Sequence, residues 1–389
     1  MISGLRREDT VALSVDDLLP VAVVSARESG YTRTYYSYPA KFRCHIPRRC
    51  IELLTKPGDL VVDPYLGGGT TALEAMLLER DFVGYDLNPL ALLISRVKCT
   101  KLDSDVLRAY SRDVLLDEFH PKDVSRYFTD DDVTCFGLDN AVRAAAYADA
   151  IFRIDDARYR DFFLLALIHS MKVAGSWKYD PEVLISRDRR SDLKDVMSSL
   201  FSRKVAKMIK EMETLPPRET RLDLIYGSNH RMDAIFDGSV NLIVTSPHYK
   251  DVHVDYAWLH WQRPSLHRSK RSDVLSRLLD FDSFPQRWED LSCGRGDGYW
   301  PQIRPLFREA HRILKDSAYA IWVIGFKTEE DHRQFLRELA MAGFSCDFEL
   351  VNQLPDRGRV AAGRLVSKPK KKRTLMVHDY IIVTRKWSG

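Results

Sequence analysis

The chain has 389 residues, 45% hydrophobic and 29% charged, with a formal net charge of +4. That length buries a substantial core in one large or two to three small domains, and the balance excludes a disordered or fibrous chain. The mild positive charge permits a polyanion partner without demanding one, so any contact with nucleic acid has to be argued from local patches.

The N-terminal stretch MISGLRREDTVALSVDDLLP lacks the basic-then-apolar profile of a signal peptide. From Gly58 the pattern reads strand, turn, helix, strand. Leu60-Val61-Val62 is a short buried strand, glycines follow, ALEAMLLER is helical, and Phe82-Val83-Gly84-Tyr85 is the next strand, ending at Asp86. This opens a parallel α/β sheet. Residues 101–220 carry helical spacing and few strand signals, with Pro216-Pro217 as the exit, and read as a helical insertion. Its apolar run FFLLALI at 162–168 is too short to span a membrane. Val240 to Val244 is a further buried strand, a helix over about 300–314 leads to the strand Tyr319 to Ile324, and Leu350-Val351 with Tyr380 to Thr384 forms a hairpin closing the sheet edge. The expected organisation is a cofactor half at 1–100, the insertion at 101–220 and a catalytic half at 221–389. None of the six cysteines forms a C-x-x-C pair, which argues against a zinc ribbon or disulfide framework and fits a reducing cytosol. No metal site is read, and a cytoplasmic protein is expected.

Two stretches carry chemistry. The first is Val61-Val62-Asp63-Pro64-Tyr65-Leu66-Gly67-Gly68-Gly69-Thr70-Thr71. No lysine follows Gly69, so a P-loop is excluded. Gly67-x-Gly69-x-x-Ala72 with Asp86 also matches a dinucleotide fingerprint, but a carboxylate at Asp63 would repel a pyrophosphate. It would suit S-adenosylmethionine, which carries an ammonium and a sulfonium and no phosphate. A plain βα turn with packing glycines is the bland alternative.

The second stretch is Asn241-Leu242-Ile243-Val244-Thr245-Ser246-Pro247-His248-Tyr249. A strand ending in a polar residue, a proline and an aromatic places specific atoms at the carboxyl edge of the sheet, where α/β ligand sites lie. Chemistry on an exocyclic amino group needs acceptors for two hydrogens and a flat surface for the ring. The Ser246 hydroxyl, the Pro247 carbonyl and the Tyr249 ring supply these, so positioning and electrostatics carry the rate. Stacking on Tyr249 contributes about 1–3 kcal/mol toward holding an unstacked base. A Ser-Pro turn with a buried tyrosine is the structural alternative.

Taken together, the two stretches resemble the amino-methylating DNA methyltransferases, with cofactor motif D-P-F-x-G-x-G-T-T and catalytic motif [DNS]-P-P-[YFW]. Tyr38-Pro39-Ala40-Lys41-Phe42 is similar to the segment leading into the family's cofactor loop, and Gly84-Tyr85-Asp86-Leu87-Asn88-Pro89 to its ribose- and adenine-binding stretch. The resemblance implies a Rossmann-like methyltransferase sheet with a C-terminal antiparallel hairpin and S-adenosylmethionine as cofactor. It implies cofactor contacts at Lys41, Phe42, Asp63, Tyr65, Gly67, Gly69, Thr70, Asp86, Leu87 and Asn88, and a catalytic set of Ser246, Pro247, His248 and Tyr249. His248 and Tyr65 depart from the motifs; His248 is either tolerated or contacts DNA or shuttles a proton.

In the family a serine at the first catalytic position goes mostly with cytosine N4, and Asp or Asn mostly with adenine N6, so cytosine N4 is expected. Carbon methylation is set aside because no cysteine follows a proline. Segment 250–275 interleaves aromatic and basic residues, which suits a loop beside a flipped nucleotide and nominates Tyr256, Arg263 and Lys270. The basic run at 368–373 nominates Lys370, Lys371 and Lys372 as backbone contacts. The helical block is either a target-recognition unit or a brace. The implied partners are double-stranded DNA and a cognate restriction endonuclease acting separately, in the cytoplasm at the nucleoid. The rivals are an adenine-N6 enzyme, an RNA base amino-methyltransferase, a NAD-dependent oxidoreductase and a DNA-binding protein that has lost catalysis.

Overall fold

In a computed structural model, the described residues are 13–22, 30–38, 43–116, 123–174, 177–178, 186–187, 196–250, 274–279, 298–352 and 378–387. Lys41, Phe42, Tyr256, Arg263, Lys270, Lys370, Lys371 and Lys372 lie outside them, so those expectations carry no structural account here.

The elements run α1 Val15–Ala22, α2 His45–Leu54, β1 Leu60–Asp63, α3 Thr70–Leu77, β2 Asp81–Asp86 and α4 Pro89–Cys99. Helices α5 Ser104–Leu116, α6 Asp130–Phe136, α7 Leu138–Phe152, α8 Ala157–Ala174 and α9 Met197–Thr214 follow, with two-residue strands β3 Trp177–Lys178 and β4 Ser186–Arg187 between the last two. The chain then returns to the sheet through β5 Leu222–Tyr226, β6 Val240–Thr245, α10 Val274–Leu279, α11 Tyr299–Ile313, β7 Leu314–Phe326, α12 Glu329–Met341, β8 Phe344–Asn352 and β9 His378–Lys386.

The main sheet has the order β5-β2-β1-β6-β7-β9-β8. Strands β5, β2, β1, β6 and β7 are parallel, and β9 runs antiparallel between β7 and β8. This is a Rossmann-like, mostly parallel sheet with the antiparallel C-terminal strand pair expected from the sequence. Because β1 has β2 on one side and β6 on the other, the strand order reverses at β1, and a ligand crevice opens at the carboxyl ends there.

Burial on both faces explains why these strands read as apolar runs. Val61 points into a core formed with α3, α4, α7, α8 and α9, and its neighbour Val62 into a second core formed with α11 and α12. Strand β5 was not anticipated. Its residues are half-buried at the sheet edge, with charged Asp223 in the middle, so no buried run announces it. Among the described residues no helix is long and apolar enough to cross a membrane.

Candidate active site

Strand β1 ends in the glycine turn, and the backbone there is left-handed where only glycine is comfortable. Gly69 has φ 67°, and a Cβ on it would lie 2.3 Å from Ser95 Oγ. A Cβ on Gly68 would lie 2.9 Å from Tyr38 Cβ, so the turn is pressed between α4 and residues 30–38. Beneath it the fully buried Lys98 donates Nζ to Gly68 O at 2.6 Å. Asn229, in the loop after β5, donates Nδ2 to Pro64 O at 2.8 Å.

Three backbone donors of this turn are engaged within the protein. Leu66 N donates to Tyr85 O, Gly69 N to Leu66 O, and Gly67 N to Asp86 Oδ2 at 2.8 Å. A phosphate cradle needs N–H groups aimed outward, and these three are taken. Asp86 stands half-buried at the end of β2 and also accepts Asn88 N at 2.8 Å. Burial raises its carboxyl to about 6, with the Asn88, Gly67 and Leu87 backbone donors pulling the other way. Three donors leave acceptor capacity on a carboxylate with about four lone-pair sites, which fits the hydroxyls of a ribose. Asn88 is almost fully buried. It caps α4 by accepting Leu90 N at 3.0 Å and donates to the Tyr38 hydroxyl at 3.1 Å. Leu87 is half-buried beside it, and Thr70, 6% exposed, begins α3.

Asp63 has a role the sequence did not suggest. It is 0% exposed, and both of its oxygens are engaged within the protein. Oδ1 accepts Thr245 Oγ1 at 2.7 Å and Tyr65 N at 3.0 Å, and Oδ2 accepts Thr71 Oγ1 at 2.8 Å. The sequence led us to expect a carboxylate facing a ligand ammonium; in the structure Asp63 ties the glycine turn to the end of β6. Burial raises its carboxyl to about 6 against the pull of those donors.

Past Thr245, β6 ends in Ser246 (half-buried), Pro247 (buried), and His248 and Tyr249 (both half-buried). His248 is edge-on to Tyr65 of the glycine turn, with ring centroids 5.2 Å apart, and edge-on to Tyr299 of α11 at 5.6 Å. The Tyr299 hydroxyl donates to His248 O at 3.1 Å. His248 Nε2 is sealed from solvent with no hydrogen-bond partner, and burial, helped by nearby His230, lowers the imidazole to about 4. His248 is thus a neutral ring that packs against the cofactor turn. Lys250 closes the segment, with Nζ 2.6 Å from Asp331 Oδ1 in the first turn of α12.

The structure therefore brings Tyr65, Gly67, Asp86 and Leu87 to the same carboxyl edge as Ser246, His248 and Tyr249, on the two sides of the strand-order reversal. Asn229 and Lys98 were missed, with no local signal; Tyr38 and Thr245 lay in the quoted stretches, but the bonds their side chains make were not foreseen.

Residues 17–96 match the family model described as a DNA methylase of the N6/N4 type. The type II methyltransferase M.BglI of Bacillus subtilis is 41% identical over 58 residues, 15% of this chain and 17% of that protein. M.Cfr9I of Citrobacter freundii is 38% identical over 69 residues, 18% of this chain and 23% of that protein. The chain thus spans about a fifth of the length of these relatives. A solved S-adenosylmethionine-dependent methyltransferase from Methanosarcina mazei superimposes with a TM-score of 0.35 at 9% identity, covering 87% of this chain and 96% of that one.

Proposed function

We propose that the chain is an S-adenosylmethionine-dependent DNA methyltransferase acting on an exocyclic amino group, that of cytosine N4, a reading supported by the match of residues 17–96 to the DNA methylase model. The observation that carries this reading is the direct join between the two motif-bearing strand ends, through Thr245 Oγ1 to Asp63 at 2.7 Å and the His248 ring against Tyr65 at 5.2 Å.

The bound cofactor supplies an electrophilic methyl group on a sulfonium. Asp86 holds the ribose hydroxyls with the acceptor capacity its backbone donors leave, and the glycine turn gives close approach at Gly67. Leu87 and Asn88 flank the adenine, and Lys41 and Phe42 serve the methionine end. Asp63 acts through the turn it holds. The Tyr249 ring carries the flipped base, worth about 1–3 kcal/mol of stacking. Ser246 Oγ and Pro247 O accept the two amino hydrogens, which draws the nitrogen lone pair out of conjugation and toward the methyl group. The neutral His248 ring, its Nε2 sealed from solvent, keeps the catalytic segment in register with the turn. The partner is double-stranded DNA, with Tyr256, Arg263 and Lys270 beside the flipped nucleotide and Lys370, Lys371 and Lys372 on the phosphates. Cytoplasmic work on nucleoid DNA, paired with a separate restriction endonuclease, completes the proposal.

The test is incubation with unmethylated DNA and methyl-labelled cofactor, then nucleoside digestion and mass spectrometry. Label in N4-methylcytosine supports the whole reading. Label in N6-methyladenine keeps the mechanism and overturns the base. Label in RNA alone, or none, overturns the function.

A further inference from the structure

Residues 30–38 form an irregular strap that reaches the glycine turn, where the Tyr38 ring presses on Gly67 and Gly68 and its hydroxyl accepts Asn88 Nδ2 at 3.1 Å. A segment without strand or helix partners has backbone carbonyls that need donors from elsewhere. Here α8 and α9 provide them. Lys204 Nζ donates to Tyr35 O at 2.5 Å and Lys172 Nζ to Ser37 O at 3.1 Å. The Tyr35 hydroxyl donates to Met208 O at 2.6 Å, and Thr34 Oγ1 to Glu211 Oε1 at 2.5 Å. Lys172 also lies over the Tyr36 ring, 5.0 Å from its centroid. Lys204 is only 7% exposed. Lysines that contact phosphate leave their ammonium groups at the surface, whereas these two direct them inward at carbonyls.

We propose that Lys172 and Lys204 are positioning residues of the cofactor site, through which α8 and α9 hold the strap so that Tyr38 closes on the glycine turn; in this the two helices act as a brace. This rests on the proposed cofactor. The path is Lys204 and Lys172 to the strap, Tyr38 to Asn88, and Asn88 N to Asp86 Oδ1. Burying an ammonium is unfavourable unless it is bonded, so the buried Lys204, bonded to Tyr35 O, marks a geometry the fold holds at some expense.

The experiment compares the full chain with Lys204→Met, Lys172→Met and the exposed control Lys210→Met. Cofactor affinity is read by calorimetry, and DNA affinity by anisotropy with saturating cofactor. We expect a loss of cofactor affinity of about tenfold in the first two, none in the control, and unchanged DNA affinity in all three. Tyr35→Phe removes only the bond to Met208 O, so it loses cofactor affinity in the same direction without an unpaired ammonium and serves where the lysine variants fail to fold. Cofactor affinity unchanged in folded variants would overturn the proposal, and so would a loss confined to DNA affinity. A wild-type chain that binds no cofactor would instead overturn the reading beneath it. Hydrogen exchange over 32–38, faster in Lys204→Met, then tests the clamp alone.

Discussion

Replacing Thr245 by valine removes one hydroxyl of nearly equal volume from the join between β6 and the cofactor turn. The lost bond is short, 2.7 Å, and ends on a fully buried carboxyl that keeps Tyr65 N on the same oxygen and Thr71 Oγ1 on the other. No acceptor is orphaned, so the loss is that of the bond itself: about 1.5–3 kcal/mol to an ionised Asp63 and about 1 kcal/mol to a neutral one. Which applies depends on pH. Burial raises the Asp63 carboxyl from its ordinary 3.8 to about 6. The folded state therefore holds this proton more tightly than the unfolded chain. The resulting stability is fully present below 3.8, about 1.4 kcal/mol at pH 5, and gone by pH 8. Urea unfolding of wild type and Thr245→Val at pH 5 and pH 8 reads both quantities. We expect the variant to lose about 1 kcal/mol more at pH 8 than at pH 5. Equal losses at the two values would refute the argument that Asp63 changes charge between them.

Asp86→Asn weakens cofactor binding by about tenfold, and wild-type affinity falls as pH drops below about 6, where Asp86 takes up a proton and ceases to complement a cationic ligand; calorimetry across pH 5–8 checks both. Gly69→Ala places a Cβ 2.3 Å from Ser95 Oγ at a φ of 67°, and a loss of about 2–4 kcal/mol in thermal or urea unfolding is expected. Ser246→Ala and Tyr249→Ala abolish label transfer to DNA while cofactor affinity stays within about twofold, because neither side chain belongs to the cofactor turn.

The strands β1, β2, β6 and β7 were legible because their central residues, Val61-Val62, Phe82-Val83, Leu242 to Val244 and Ala320 to Ile324, are buried on both faces and read as short apolar runs. The half-exposed β5 was not, and the position of β9 between β7 and β8 cannot follow from either strand's own composition. The glycine turn and the start of α4 were legible because backbone geometry restricts them locally: a left-handed turn demands glycine at Gly69, and the N1 position of α4 accepts Pro89 after a capping Asn88.

Partnership across the chain was not legible. A carboxylate beside a glycine turn reads as a ligand contact, yet Asp63 meets Thr245, 182 positions away, and leaves no acceptor at the surface. Likewise a lysine in an amphipathic helix reads as a solvated or phosphate-binding charge, and Lys204 instead meets Tyr35 O, 169 positions earlier. Sequence alone determined the buried strands, the glycine turn and the polar end of β6, since their residues answer to local backbone and burial rules. Only the tertiary structure decided which buried polar groups satisfy one another, because a hydrogen bond is selected by distance in space and carries no sequence period.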